Sequence, residues 1–249
     1  MSDKVLIVTG GSRGIGAATC RMAAAQGWDV AINYTASHDA AEAVREAVLD
    51  LGQRAISVKG DMANEDDIHR LFHETEQELG APTALVCNAG ITGKITRVEN
   101  MTTEAMRAVM DLNVVGLMIA NREAVKRMST KTGGKGGAIV NLSSIAPRLG
   151  SPNEFVHYAA SKGAVDGWTI GLGREVAGEG IRVNAVAPGM IDTDIHATAG
   201  DPERAARNGA TVPIGRAGTA DEVAEAICWL LSDHARYCVG TILQVNGGR

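Results

Sequence analysis

The chain has 249 residues, of which 45% are hydrophobic and 21% charged, with 24 Lys and Arg against 29 Asp and Glu and a formal net charge of -5. Such a chain can bury a large core, which excludes intrinsic disorder. The mildly acidic balance contains no basic run, which argues against nucleic-acid binding.

The apolar segments and the cysteines indicate which compartment to expect. The longest apolar stretch, residues 114–120, is shorter than the roughly 20 residues of a membrane helix, so no membrane partner is expected. Residues 1–4 lead directly into an apolar run, without the leader of a secreted protein. No metal-site or disulfide-rich spacing relates the four cysteines, which are Cys20, Cys87, Cys228 and Cys238. We therefore expect a cytoplasmic protein without a metal site.

Short runs rich in Val and Ile alternate along the chain with segments of helical periodicity. The predicted strands cover residues 4–9, 29–34, 54–59, 83–87, 137–142, 181–187 and 240–245. The predicted helices cover residues 15–26, 39–51, 64–79, segments within 103–131, 156–178 and 219–232. Strands that are apolar throughout are typical of a sheet covered on both faces. The pattern predicts an α/β fold with a doubly wound, parallel, seven-stranded sheet and helices on both faces, in a single domain over residues 1–249.

Two pairs of residues resemble capping boxes, in which side chains satisfy free N–H groups at the start of a helix. Asp39 with Glu42 predicts the start of the second helix. Thr219 with Glu222 predicts the start of the last one.

A glycine-rich segment follows the first predicted strand and opens the first helix. The residues in it that we assign to cofactor binding are Gly10, Ser12, Arg13, Gly14, Ile15 and Gly16. Glycine permits a tight turn and lets a pyrophosphate approach the helix N-terminus, where N–H groups and the helix dipole favour an anion. A plain strand-to-helix loop is the alternative. The first crossover of an α/β chain is, however, where Rossmann-type folds bind dinucleotides, and the segment therefore predicts such a site.

The end of the second predicted strand bears on the choice of dinucleotide. An NAD site usually has an Asp or Glu there for the ribose 2'-hydroxyl, whereas this chain has Asn33, Tyr34 and Thr35. Arg13 could contact a 2'-phosphate, with hydrogen bonds donated by Asn33 and Thr35. The alternative is that Arg13 is a solvated loop residue. We expect NADP(H) to be preferred over NAD(H).

Tyr158 and Lys162 lie four residues apart in a predicted helix, and therefore on one face of it. A phenol with a pKa near ~10 is a poor proton donor at neutral pH. An ammonium about 4 Å away, at an effective dielectric of about 20, contributes about 4 kcal/mol and so lowers that pKa by about three. The pair predicts a tyrosine that exchanges a proton with a carbonyl or an alcohol.

Further landmarks occur in order along the chain. They are Asp61 after the third strand, Asn88, Ala89 and Gly90 after the fourth, then Asn113 and Ser144, and Pro188, Gly189 and Thr193 after the sixth. Together with the glycine-rich segment and the Tyr158–Lys162 pair, they make the chain resemble the short-chain dehydrogenase/reductase family over essentially its full length. Within that family the pattern is similar to 3-oxoacyl-[acyl-carrier-protein] reductases and to glucose 1-dehydrogenases.

The resemblance implies how the cofactor would be held. Asp61 and Met62 would contact the adenine, and Lys162 the nicotinamide ribose. The residues that would line the crevice are Asn88, Ala89 and Gly90. The residues that would fix the nicotinamide carboxamide are Pro188, Gly189, Ile191 and Thr193.

The same resemblance implies a catalytic set of Asn113, Ser144, Tyr158 and Lys162. Ser144 would hold the substrate carbonyl and stabilise charge on its oxygen, while Tyr158 would transfer the proton. Asn113 would interrupt a helix and hold a water that relays protons to Lys162. Cys87 stands where the family often has an Asn, but this departure leaves Asn88 intact.

Two segments are expected to meet the substrate. Residues 145–157 would form part of the substrate wall, and residues 190–218 lie where the family carries a mobile lid. The polar candidates, each of which either binds substrate or is merely solvated, are Arg148, Glu154, His157, His196, Arg204 and Arg207.

Two helix faces have other interpretations. His69 and His73 have a spacing that can bind metal, but no third ligand is evident and we interpret them as solvated. A row of small residues that permits close helix packing consists of Ala160, Gly163, Ala164 and Gly167. The resemblance implies that this row forms a subunit contact in a homotetramer, and packing within the chain is the alternative.

The leading hypothesis is an NADP(H)-dependent carbonyl reductase or alcohol dehydrogenase that acts on a small molecule. A protein of the same fold that senses NADP(H) without turnover is the alternative. The complete set of Asn113, Ser144, Tyr158 and Lys162 argues against sensing alone, because sensing requires no proton donor.

Overall fold

Seven parallel strands form the centre of the computed structural model, which describes residues 4–249. Residues 1–3, which the sequence analysis placed in the same domain, lie outside the described residues. The strands are β1 (Val5–Thr9), β2 (Asp29–Tyr34), β3 (Ala55–Lys59), β4 (Ala84–Cys87), β5 (Gly137–Leu142), β6 (Ile181–Pro188) and β7 (Ile242–Val245). Their order in the sheet is β3-β2-β1-β4-β5-β6-β7. Strands β2 and β3 are added on one side of β1 and β4 to β7 on the other, so the strand order switches between β1 and β4. Such sheets open a crevice at this point of their carboxyl edge.

Ten α-helices connect and cover these strands in the described part of the chain. They are α1 (Gly14–Ala25), α2 (His38–Asp50), α3 (Glu65–Glu78), α4 (Thr103–Met110), α5 (Leu117–Met128), α6 (Ala146–Leu149), α7 (Val156–Val176), α8 (Ile195–Ala199), α9 (Arg204–Gly209) and α10 (Ala220–Leu231). A π-helical turn, Asp111–Gly116, joins α4 to α5. Short 3-10 helices cover Val98–Asn100, Thr130–Thr132, Ala177–Glu179 and Asp233–Ala235.

The apolar strands divide their side chains between two cores. In β1, Leu6 and Val8 pack into one core with Ile227 of α10. Val5 and Ile7 face the other way and pack with Phe72 of α3. Because successive side chains of a strand point to opposite faces, a strand that is apolar throughout can bury both faces. This confirms the predicted doubly wound architecture.

One of the two predicted capping boxes is correct. Thr219 and Glu222 form both bonds of the box at the start of α10. The prediction for Asp39 and Glu42 is wrong, because α2 begins one residue earlier and follows Ser37. Glu42 instead bonds the Ser57 hydroxyl of β3 and Arg45 one turn along α2, so its carboxylate serves the packing of helix on strand.

The row of small residues on α7 is mostly uncovered by the rest of the described chain. Ala160, Gly163 and Gly167 are exposed, and Ala164 is half-buried. A Cβ added at Gly167 would meet no described atom within 4 Å. Much of the row is therefore uncovered in the described part of the chain, and the subunit contact stays a prediction.

Neither membrane-spanning nor metal-binding features occur between residues 4 and 249. No helix in that range is both long and apolar enough to cross a bilayer. No group of three or more His, Cys, Asp or Glu side chains there could hold a metal ion. His69 lies beside Glu65 and Glu123 on the exposed side of α3.

Candidate active site

The glycine-rich segment forms a tight turn after β1 because two of its glycines adopt left-handed backbone. Gly10 has a φ of 61° and Gly14 one of 51°. A Cβ added at Gly16 would lie 2.3 Å from the Gly10 carbonyl oxygen, so a larger residue there would displace the turn. The Asn88 amide, which follows β4, donates to the carbonyls of Thr9 at 3.0 Å and Gly10 at 2.8 Å. The turn is thus held between the ends of the two central strands.

The N-terminus of α1 suits the pyrophosphate of a dinucleotide. Arg13 is the N-cap residue, but no side chain caps the helix and no acidic residue lies in its first turn. The first N–H groups and the positive end of the helix dipole are therefore left for an anion from outside the helix. Ile15, in this first turn, lines the adjacent cleft. The residues present fit the group that the sequence predicts.

The end of β2 differs from the expectation in one respect. Asn33 is buried, and its side-chain amide donates to the Gly60 carbonyl at 2.9 Å while its oxygen accepts from the Gly10 N–H at 3.1 Å. The predicted hydrogen bond from Asn33 to a 2'-phosphate is therefore wrong, because this side chain holds the loops after β1 and β3 together. Tyr34 is also buried and shares a 2.8 Å hydrogen bond with His38.

Two other side chains remain available on this surface. Arg13 and Thr35 are exposed. Between residues 4 and 249, no hydrogen bond or ion pair occupies the Arg13 guanidinium, whereas the Thr35 hydroxyl makes only a long contact of 3.5 Å with the Gly60 carbonyl. Both can therefore turn to a ligand without breaking a strong bond.

The predicted adenine contacts lie at the end of β3. Asp61 is exposed and accepts from the Ala63 N–H at 2.9 Å. Met62 is buried, and its carbonyl packs so closely on Gly116 that a Cβ there would come within 1.8 Å of the oxygen. After β4, the N–H of Ala89 donates to the Thr9 hydroxyl at 3.0 Å.

A cleft of about 330 Å³ opens at the carboxyl edge of the sheet and brings together residues from distant parts of the chain. The predicted residues that line it are Ile15, Asn88, Gly90, Ser144, Tyr158, Lys162, Pro188, Gly189, Ile191 and Thr193. The other predicted residues of the glycine-rich segment and of β2 and β3 lie outside this lining. The predicted proton donor and the predicted dinucleotide turn thus share one crevice.

Tyr158 meets Ser144 in the wall of this cleft. The Ser144 side chain hydrogen-bonds the Tyr158 hydroxyl and thereby lowers the pKa of the phenol. Burial has the larger effect and raises the pKa of Tyr158 above its ordinary value. Ser144 also accepts a 3.1 Å hydrogen bond from the N–H of Ala146, at the start of α6, which fixes its orientation.

Lys162 does not act on Tyr158 as the sequence predicts. Its ammonium donates to the Leu142 carbonyl at 2.6 Å and lies 5.7 Å from the centroid of the Tyr158 ring. The predicted lowering of the Tyr158 pKa by Lys162 is therefore wrong in this structure, where burial dominates and Ser144 supplies the opposing effect. Burial also lowers the pKa of Lys162 to about 8.

Asn113 lies in the π-helical turn, which confirms the predicted interruption of a helix at this position. Its amide group pairs with the backbone of Ile91, accepting from the N–H at 2.9 Å and donating to the carbonyl at 2.8 Å. It also donates to the Ser161 hydroxyl at 3.1 Å. The side chain therefore joins the loop after β4 to α7 and is fully engaged.

The loop after β6 closes the cleft opposite the glycine-rich turn. A Cβ added at Gly189 would lie 2.7 Å from the Asn246 Cα, so this loop needs glycine to pass the segment after β7. Beyond it, Ile191 forms an isolated bridge with Gly218. This bridge joins the two ends of the 190–218 segment. The residues between them form a long loop, part of which lines the cleft.

This loop contains α8 and α9 and is anchored to the segment between α6 and α7. Arg204 of α9 makes a bidentate ion pair with Glu154, with N–O distances of 2.7 and 2.6 Å. The guanidinium lies 5.2 Å from the Phe155 ring centroid. A second link runs from the Lys94 ammonium to the Thr198 carbonyl at 3.1 Å. The segment is thus tied to residues 154 and 155 on one side and to the loop after β4 on the other.

Comparison with known proteins assigns the family. A family model described as Enoyl-(Acyl carrier protein) reductase matches residues 10–249. A short-chain dehydrogenase from Burkholderia cenocepacia, whose crystal structure is in complex with NADP, has a TM-score of 0.90 and 34% identity, covering 98% of this chain and 97% of that chain. This chain belongs to the short-chain dehydrogenases/reductases.

Curated members of the short-chain dehydrogenases/reductases are similar over the whole chain. An uncharacterized oxidoreductase of Escherichia coli is 48% identical over 245 residues, which are 98% of this chain and 99% of that protein. A 3-oxoacyl-[acyl-carrier-protein] reductase of Synechocystis is 37% identical over 249 residues, which are 100% of this chain and 97% of that protein. The chain is accordingly an oxidoreductase of this family, and the comparisons give the sensing alternative no support.

The substrate side of this short-chain dehydrogenase/reductase differs in part from the sequence prediction. Of the polar candidates, the cleft lining includes Glu154, His196 and Arg204. Arg207 instead pairs with Asp201 on the exposed surface. The predicted substrate wall contributes Leu149 and Phe155 to the lining, and the predicted lid segment contributes Met190 and Ile195. Arg249, which also lines the cleft, lies outside both predicted segments. A terminal arginine carries no sequence signal for a site, so only the fold identifies Arg249 as a lining residue.

Proposed function

We propose that this oxidoreductase interconverts a carbonyl and an alcohol with NADP(H), and that Tyr158 transfers the proton. The observation that carries the proposal is the meeting of Tyr158, Ser144 and Lys162 in one cleft beside the glycine-rich turn. A cofactor turn and a proton donor in one crevice suit hydride chemistry at a carbonyl carbon.

The chain's own residues would hold and orient the cofactor. The uncapped N-terminus of α1 would bind the pyrophosphate. Lys162, which lines the same cleft, would hydrogen-bond the nicotinamide ribose. The loop with Pro188, Gly189, Ile191 and Thr193, which lines the cleft, would hold the carboxamide. When bound, the nicotinamide supplies or accepts the hydride.

The proton would move at the Tyr158 hydroxyl. Ser144 already hydrogen-bonds that hydroxyl, so a substrate oxygen that enters between the two side chains can take a hydrogen bond from each. The Lys162 ammonium lies in the same cleft, held at the Leu142 carbonyl and 5.7 Å from the centroid of the Tyr158 ring. Asn113 holds the loop after β4 against α7 and thereby keeps the wall in place.

The charges near the end of β2 support a preference for NADP(H) over NAD(H). Residues 33–35 include no carboxylate, and the Arg13 guanidinium is exposed beside the turn. A guanidinium binds a phosphate through charge-assisted, bidentate hydrogen bonds. The similar dehydrogenase from Burkholderia cenocepacia, whose structure contains NADP, supports the same choice.

The lining of the cleft supports a mainly apolar carbonyl substrate. Leu149, Phe155, Met190 and Ile195 provide the wall, and the charges of Glu154 and Arg204 neutralise one another. A sugar needs several free polar partners for its hydroxyls, whereas an acyl chain or a cyclic ketone does not. We therefore favour the 3-oxoacyl or a related apolar class over glucose, with residues 190–218 as the lid.

A substrate panel tests this function. The purified protein is assayed with NADPH and NADH against apolar ketones, 3-oxoacyl thioesters and sugars, in both directions. We expect turnover with NADPH on an apolar carbonyl and loss of turnover in Tyr158→Phe. Binding of NADPH, followed by its fluorescence, without turnover on any substrate would refute the reductase and favour a sensor.

A further inference from the structure

Three consecutive residues at the end of β5 make three successive contacts with α7. The Leu142 carbonyl accepts from the Lys162 ammonium at 2.6 Å, and the Ser143 hydroxyl donates to Asp166 at 2.5 Å. Ser144 hydrogen-bonds Tyr158. Two of these contacts involve the proposed catalytic pair, and the third has no role in the mechanism above.

Tyr158, Lys162 and Asp166 are spaced by four residues and therefore lie along one face of α7. Asp166 is half-buried. Its hydrogen-bond partner is the neutral hydroxyl of Ser143, while the nearby cations Lys162 and Arg148 act on it through space. A half-buried carboxylate without a directly bonded cation is costly, so its place one turn beyond Lys162 calls for a reason.

We propose that Asp166 is a positioning residue that acts through Lys162. It anchors the strand end at Ser143 to α7, and it supplies the negative charge that keeps the Lys162 ammonium protonated in its buried site. The inference rests on the proposed role of Lys162.

The other groups that face Lys162 cannot replace this charge. From β4 comes the Cys87 thiol, but burial raises its pKa to about 12 and the thiol is neutral at the pH of the reaction. From α7 comes the Tyr158 phenol, whose pKa burial also raises. From α6, Arg148 is a cation and faces Asp166. Of the described groups around Lys162, Asp166 is therefore the one that carries a negative charge at the pH of the reaction.

Burial and the Asp166 carboxylate shift the pKa of Lys162 in opposite directions. Burial lowers the pKa of Lys162 to about 8, and the carboxylate of Asp166 acts in the opposite direction. Removal of that carboxylate should therefore release the Lys162 proton at a lower pH, closer to neutrality. The ammonium would then be partly lost in the range where the enzyme works.

The test follows the titration of Lys162 by NMR of the isotope-labelled lysine side chain, in the protein without added nucleotide. Asp166→Asn keeps an oxygen that can accept from Ser143 but removes the charge, and we expect the Lys162 titration to move down by about one pH unit. Ser143→Ala keeps the charge and should move it far less. Glu175→Gln removes an exposed carboxylate from the same helix and should leave it unchanged.

The outcomes separate a positioning role from a structural one. If Asp166→Asn lowers the melting temperature but leaves the Lys162 titration in place, the inference is overturned. Asp166→Ser, a second variant without charge, decides the matter if the first does not fold. In turnover assays, the pH profile of kcat/KM should shift in Asp166→Asn and not in Glu175→Gln. Because the titration needs no turnover, an inactive wild-type protein would refute the proposed function and leave this inference to be judged separately.

Discussion

Replacement of Lys162 by methionine should stabilise the fold near neutral pH while it abolishes turnover. Burial lowers the pKa of Lys162 from 10.5 to about 8. Each pKa unit corresponds to about 1.4 kcal/mol, so holding the ammonium in its site costs about 3 kcal/mol below pH 8. Methionine removes this cost, but it leaves the Leu142 carbonyl without its donor, which costs about 1–2 kcal/mol. The variant should therefore be more stable by about 1–2 kcal/mol at pH 7.

The pH dependence of this difference is the sharper test. Below pH 8 the lysine is protonated in both the folded and the unfolded chain, so the full cost is present. Between pH 8 and 10.5 the unfolded chain binds more protons than the folded one, and the stability of the wild type rises with pH. The wild type gains about 3 kcal/mol across that range, which exceeds the variant's advantage at pH 7, so the advantage should shrink and reverse within the range.

Urea unfolding at a series of pH values measures the effect. The free energy of unfolding is compared between wild type and Lys162→Met at each pH, so the contributions of other titrating groups cancel. Lys59→Met, at an exposed position, is the matched control and should show no such dependence. A difference between wild type and Lys162→Met that is constant from pH 7 to pH 10.5 would refute the assigned burial cost.

Four further substitutions test the site. Tyr158→Phe should lower kcat by a factor of about 10²–10⁴, the usual contribution of a proton donor, with NADPH affinity nearly unchanged by fluorescence titration. Arg13→Ala should weaken NADPH much more than NADH in the same titration, and equal weakening of both would contradict a role with the 2'-phosphate. Gly16→Ala should weaken both nucleotides, because its Cβ would lie 2.3 Å from the Gly10 carbonyl oxygen; unchanged affinity would show that the turn can shift. Arg204→Leu should raise KM severalfold with little change in kcat, and a change confined to kcat would argue against a lid anchor.

The elements and their order could be predicted from local pattern. The apolar run of β1 is buried on both sides, and the strand and helix bounds differ from the predictions by two residues at most for most elements. The capping box at Thr219 also followed from four residues of sequence. The box at Asp39 failed because α2 begins one residue earlier, after Ser37, and Glu42 bonds Ser57 of β3 instead.

Some features of the cleft could be predicted from the sequence, and others required the tertiary structure. Glycines 10, 14 and 16 are required by backbone geometry that is local to one turn, so their spacing in the sequence already indicated the turn. The hydrogen bonds of Asn33 run to loops after two other strands, and no local pattern could show that its amide is already engaged.

By itself, the sequence determined the sheet, the glycine-rich turn and the pairing of a tyrosine with a lysine on one helical face, because each depends on periodicity or spacing within a short segment. Only the tertiary structure decided where the Lys162 ammonium points and what sets the proton affinity of Tyr158. Both depend on burial and on the carbonyl and hydroxyl at the end of β5, which are brought to α7 by folding and not by the chain's local order.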